Sequence, residues 1–100
     1  MTVTKTLKND TLTVAVEGWI DTLTAQQYHE ALQDLEGAKN VVLDFSSVEY
    51  VSSAGLRETV ALYRAVCANG GTFSIRRVNP DVLKVFQLTG FDKKFDILSD

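Results

Sequence analysis

Two serine pairs, Ser46–Ser47 and Ser52–Ser53, fall within the segment VVLDFSSVEYVSSAGLR (residues 41–57), and the second pair is placed for chemistry. It lies where a β-prone run gives way to the start of a helix. A helix N-terminus carries roughly half a positive charge and several N–H groups without helical acceptors, so a phosphate esterified to a serine there meets a favourable field. Ser53 is therefore the candidate for a phosphorylated switch. A plainer reading stands beside it: serine is a preferred N-cap residue, worth about 1 kcal/mol over alanine, and a capping pair needs no further role.

Other chemistry finds less support. A nucleophilic Ser53 lacks the G-x-S-x-G setting, and the single histidine, His29, lies on a helix among polar neighbours, where a solvated side chain is expected. Hydrolase is set aside, and the chain is read as a non-enzyme. The single cysteine, Cys67, cannot form an internal disulfide and is expected in the core. There is neither a G-x-x-x-x-G-K-[ST] loop nor a G-x-G-x-x-G loop, so no cofactor is expected and any ATP or magnesium belongs to a partner.

These residues must be positioned by the elements around them. Residues 3–7 and 11–17 alternate with β-branched types across Lys8, Asn9 and Asp10, which predicts an opening hairpin. Residues 19–23 read as a loop, and Thr24 with Gln27 predicts a capping box, with Leu23 and Tyr28 as a hydrophobic staple. Helix one should run to about Leu35, burying Tyr28, Ala31, Leu32 and Leu35. A strand of the kind a sheet interior accepts on both faces is expected over 41–45, broken by Ser46 and Ser47. Helix two follows from about Ala54 to Ala68 with Leu56, Val60, Tyr63 and Cys67 inward, flanked by Leu62 and Val66. After Asn69, Gly70 and Gly71 come a strand over 72–78, a third helix capped by Asn79 with Pro80 at its first position and stopped by Gly90, and a last strand near 95–98. The order ββαβαβαβ predicts an α/β fold: a mixed sheet with an antiparallel N-terminal hairpin, parallel pairing at each crossover, and helices mostly on one face. In open sheets of this kind sites form where strand C-termini meet helix N-termini, which is where residues 52–55 lie.

One hundred residues make a single domain, residues 1–100. A 45% hydrophobic, 23% charged composition is globular, and no apolar run approaches the roughly 20 residues of a membrane span. Net charge is −3 with scattered basic residues, which argues against nucleic acid as a partner. The start, MTVTKTLKNDTLTV, has neither an apolar signal core nor an Arg-rich amphipathic pattern, so the cytoplasm is the expected compartment.

Three motifs in register resemble the STAS domain, and within it the single-domain anti-sigma factor antagonists of bacteria. GWIDTLTA (18–25) is similar to that family's G-x-L-D-x-x-T-A loop, LDFSSVEYVSSAGL (43–56) to its strand and phosphorylation loop, and VNPDVLKVFQLTGFDKKF (78–95) to its C-terminal helix and strand. The resemblance implies a STAS-like fold and a partner switch. The unmodified protein would bind an anti-sigma factor that is itself a serine kinase, and phosphorylation of Ser53 would release it, with a phosphatase restoring the free serine. The family's loop usually reads Asp-Ser-Ser/Thr-Gly; here Ser52 stands at the Asp, Ala54 at the second hydroxyl and Gly55 at the Gly. Partner contacts are expected at Asp21, Ser52, Ala54 and Gly55, which the family's loops bring forward, at Trp19, an aromatic able to anchor an interface, and at Arg57. Two of these keep structural alternatives: Trp19 as packing over a sheet edge, and Asp21 as a turn or cap residue. Gly55 is read as leaving room for a partner beside Ser53, or as a helix-start glycine without a role, and Gly55→Val is expected to leave the fold near native. The second function reading is an adaptor subunit of a membrane transport complex, not phosphorylated.

Overall fold

A computed structural model describes residues 1–98. Five strands form one sheet in the order β1 (Thr2–Lys8), β2 (Thr11–Ile20), β3 (Asn40–Val51), β4 (Phe73–Arg76) and β5 (Asp96–Leu98). β1 and β2 are antiparallel, and every later neighbour is parallel. Helices α1 (Ala25–Ala31), α2 (Ser53–Ala68) and α3 (Pro80–Thr89) make the crossovers, and a 3-10 turn over Phe91–Lys93 precedes β5. The predicted order of elements is the observed one, apart from that added turn.

The sheet buries a single face. Leu12, Val14 and Val16 of β2, Val41, Leu43 and Phe45 of β3, and Phe73 and Ile75 of β4 are all buried, whereas Thr13, Ala15, Val42, Asp44 and Ser74 between them are only partly covered. Alternation of this kind is what a sheet covered on one side requires. The expectation that β3 would be accepted on both faces is therefore corrected. The helices cover the buried face through aromatic contacts: Tyr63 of α2 meets Phe73 at 5.7 Å, and Phe95 meets both Phe73 and Phe86 of α3.

β3 does not break at Ser46 and Ser47. Between Ala15 and Glu17 β2 advances two residues while β3 advances three, from Asp44 to Ser47; between Gly18 and Trp19 it advances one while β3 advances two, from Val48 to Tyr50. Each extra residue is a β-bulge, so inward positions change spacing from two to three, and Phe45, Val48 and Val51 all remain buried. The Asp44 carboxylate accepts the Ser46 N–H at 3.0 Å and holds the first bulge. Burial works against its charge, yet the Ser46 N–H and hydroxyl, with Arg76 and Arg77 nearby, keep the carboxyl below its ordinary range.

Three more expectations change. β2 continues through Gly18 to Ile20, so Trp19 lies on a strand rather than in a loop. α1 is shorter than predicted, because Leu32 is its C-cap and Glu36 and Gly37, both at positive φ, turn the chain away. The buried residues of α2 are Gly55, Thr59, Val60, Leu62 and Val66, a stripe rotated by about one residue from the predicted one, and Cys67 is exposed. Counting apolar side chains overlooked Gly55 and Thr59, whose small size lets α2 lie close to the sheet.

Candidate functional site

β2 and β3 end side by side, with Ile20 opposite Val51, and α2 starts within two residues of that edge. Ser52 makes the turn. Its backbone is extended (φ −82°, ψ 174°), its N–H donates to the Ile20 carbonyl at 2.8 Å, and its Oγ accepts the Gly55 N–H at 3.1 Å. This is an N-cap bond, so Ser52 and not Ser53 caps the helix. Ser52 is nearly buried, at 9% exposure, and has little surface to offer a partner.

Capping by Ser52 leaves Ser53 at the first helical position, exposed, with no hydrogen-bond partner for its hydroxyl among the described residues. Ala54 beside it is partly exposed and Arg57, one turn on, is exposed. Gly55 is buried, which corrects the expectation that it leaves room for a partner. A Cβ there would lie 2.6 Å from Ile20 Cγ2 and 2.9 Å from the Ile20 carbonyl oxygen. The glycine allows α2 to close on β2 and so fixes where Ser53 emerges.

A buried relay holds the same turn from below. The Thr59 hydroxyl donates to the Gly55 carbonyl at 3.0 Å, which leaves Tyr28 to donate to Thr59 Oγ1 at 2.7 Å. Tyr28 is fully buried, and burial raises its phenol well above the ordinary tyrosine range despite the Thr59 bond.

Beside this turn runs the segment 19–24. The Asp21 carboxylate accepts the N–H groups of Leu23 at 2.9 Å and Thr24 at 3.0 Å, and the Thr24 hydroxyl donates to the Trp19 carbonyl at 2.7 Å. The expected capping box is absent: the Thr24 side chain makes no cap bond, and Leu23, 91% exposed, forms no staple. Asp21 closes the loop instead, and the Thr24 N–H above all, with the Thr24 hydroxyl and Leu23 N–H, holds its carboxyl below the usual range. Trp19 is 54% exposed, donates Nε1–H to Glu49 at 3.0 Å and leans on Tyr50 with ring centroids 5.4 Å apart. This exposed aromatic pair lies on the outward face of the sheet, one residue before the buried Ile20 and Val51.

Sequence reasoning missed the wall that α2 shares with the turn after α3. Ser53, Leu56, Arg57, Val60 and Arg64 line one side of a groove of about 420 Å³, faced by Thr89 and Phe91. The signal was present in the sequence, since offsets of 3, 4, 7 and 11 residues from Ser53 fall on one helical stripe. His29 lies elsewhere, with Nδ1 2.6 Å from Glu58 Oε1, and is 42% exposed rather than fully solvated. Among the described residues no group of three His, Cys, Asp or Glu side chains could hold a metal, and no helix is long and apolar enough to cross a membrane.

The arrangement presents one free hydroxyl at a helix start, and the chain as a whole is similar to known proteins in sequence and in fold. A Bordetella bronchiseptica protein named as a candidate anti-sigma factor antagonist, BtrV, is 30% identical over 88 residues, covering 86% of this chain and 76% of its own. The crystal structure of an anti-sigma factor antagonist from Mycobacterium paratuberculosis superposes with a TM-score of 0.89 at 28% identity, covering 99% of this chain and 86% of that one. The fold is also that of SpoIIAA, solved unphosphorylated and, from Bacillus, phosphorylated, each at a TM-score of 0.76 and 16% identity over 99% of this chain and 88% or 93% of that one. A family model described as "Mlab, STAS domain" matches residues 3–99, and with its motifs, five-stranded sheet and serine-led second helix the chain belongs to the STAS domain family.

Proposed function

We propose that this protein is an anti-sigma factor antagonist that works by partner switching. With Ser53 free it binds an anti-sigma factor that is also a serine kinase; phosphorylation of Ser53 releases it, and a phosphatase resets it. The observation that carries this reading is the division of labour between the two serines: Ser52 caps α2, so the Ser53 hydroxyl is exposed and unengaged. The names of BtrV and of the mycobacterial antagonist support the class of function, and SpoIIAA, solved with and without phosphate, supports a phosphorylated state.

The chemistry asks little of this chain. Ser53 Oγ attacks the γ-phosphorus of ATP, the β–γ bridging bond breaks, ADP departs, and the hydroxyl proton passes to a base on the kinase, which also holds the nucleotide and magnesium. Ala54 and Arg57 supply partly exposed and exposed surface beside the acceptor on α2, Asp21 and Trp19 add such surface at and beyond the end of β2, and Ser52 and Gly55 position the acceptor. The phosphate adds about −1.5 to −2 charges. Its own helix start tolerates them, whereas a closely packed or acidic partner surface does not.

A second reading, a non-phosphorylated adaptor in a membrane transport complex, draws on Ala54 and the neutral Ser52, which leave the acceptor without the carboxylate and second hydroxyl of the family's usual loop. Titrating the cognate anti-sigma factor with unmodified and Ser53-phosphorylated protein separates the two. Partner switching requires binding by the first and loss of binding by the second; equal binding by both contradicts switching, and binding by neither favours the adaptor.

A further inference from the structure

Ser53 and Arg57 stand four residues apart on the exposed stripe of α2 and line the same groove. That spacing puts their side chains on neighbouring turns, with the anion-bearing position N-terminal to the cation, the favourable orientation for a helical pair. Arg57 is exposed and makes no ion pair or hydrogen bond with another described residue, so no internal carboxylate competes for it. Leu56, Val60 and Phe91 give the groove apolar walls, which strengthen an ion pair relative to open water. Arg64 lines the groove too, but seven residues beyond Arg57, roughly 10 Å further along the helix axis.

We propose that Arg57 reads the state of Ser53: its guanidinium is free for a carboxylate of the partner while Ser53 is unmodified, and is taken up in cis by the phosphate once Ser53 is phosphorylated. This rests on Ser53 being the phosphoacceptor and adds to it a residue of this chain that responds to the modification. Guanidinium and phosphate form charge-assisted, often bidentate hydrogen bonds, which single out arginine for this role. Phosphorylation then acts twice, placing negative charge at the mouth of the groove and withdrawing a cation from its rim.

The test uses the full chain with phosphoserine inserted at position 53 during synthesis, so it holds or fails independently of whether any kinase uses Ser53. Phosphorus NMR across pH follows the second ionisation of the phosphate, ordinarily near pH 6. Pairing with Arg57 favours the dianion, so Arg57→Gln should raise the midpoint by roughly 0.3 to 1 pH unit, while Arg64→Gln should move it by less than a third of that. In the unsubstituted sequence, the Arg57 side-chain N–H resonance should shift and exchange more slowly when Ser53 carries phosphate. An unchanged midpoint in Arg57→Gln, equal shifts in both variants, or an Arg57 resonance indifferent to the phosphate would each overturn the proposal.

Discussion

Gly55 packs against Ile20 so closely that a methyl group in its place would sit 2.6 Å from the Ile20 side chain and 2.9 Å from its carbonyl oxygen. That carbonyl also accepts the Ser52 N–H, so one residue at the end of β2 fixes both the cap and the first turn of α2. The GWIDTLTA segment and the serine loop are thereby one structural unit, although 31 positions separate Ile20 from Val51, its partner across the sheet.

Gly55→Ala should destabilise the protein although alanine is the better helix former. The propensity gain is about 1 kcal/mol. Forcing a methyl group against a branched, buried side chain and a backbone oxygen costs about 1 to 3 kcal/mol, so a net loss of about 1 kcal/mol is expected in urea unfolding. Ile20→Ala should reduce that loss when combined with it, as contacting residues couple. A gain in stability for Gly55→Ala would show that α2 can shift away from β2 freely.

The two serines should respond unequally to alanine. Ser52→Ala removes the cap and should cost about 0.5 to 2 kcal/mol, whereas Ser53→Ala should change stability by less than about 0.5 kcal/mol, since its hydroxyl holds nothing in the fold. Thermal unfolding of the two variants checks the assignment, and a larger loss for Ser53→Ala would reverse it.

Tyr28→Phe should cost about 1 to 2 kcal/mol, because it removes the donor to Thr59 between two fully buried side chains. The relay then ends at a Thr59 oxygen that still donates to Gly55 but accepts from nothing. Hydrogen exchange at the first turn of α2 should quicken more than exchange in β4. Uniform quickening would mean that Tyr28 matters only to global packing.

Asp21 gives a pH signature. Its carboxyl is held below the ordinary range by the N–H groups it accepts, so its contribution is complete above about pH 4 and fades as pH falls through the depressed folded value. Asp21→Asn should therefore lower the melting temperature at neutral pH, and the gap to the unsubstituted protein should close in acid. A gap that does not change with pH would assign the effect to loop geometry rather than to charge.

Much of this architecture was legible in the sequence because the elements are separated by strong local signals: Asn79 and Pro80 opening α3, Gly90 in the left-handed conformation closing it, and the hairpin at residues 8–11. The failures share a cause. Ser46 and Ser47 resemble a strand end because period-two reading cannot see a bulge that keeps Phe45 and Val48 on the same face. The inward face of α2 was misplaced because Gly55 and Thr59 define it by smallness and by a hydrogen bond rather than by hydrophobicity. For the candidate site, the place of Ser53 at a helix start was readable from the sequence, but which serine caps the helix depended on the backbone at Ser52, and the groove with Arg57 and Arg64 depended on where Phe91 folds back.

The central claim is that Ser53 is the residue through which the partner is bound and released. Incubating the protein with its cognate anti-sigma factor kinase and ATP, then mapping phosphate by tandem mass spectrometry while following the complex by native mass spectrometry, tests it most directly. The account predicts one phosphate, on Ser53, appearing as the complex dissociates, and a complex with Ser53→Ala that persists in ATP. Phosphate on Ser46, Ser47 or Ser52, or dissociation of the Ser53→Ala complex at the same rate, would contradict it.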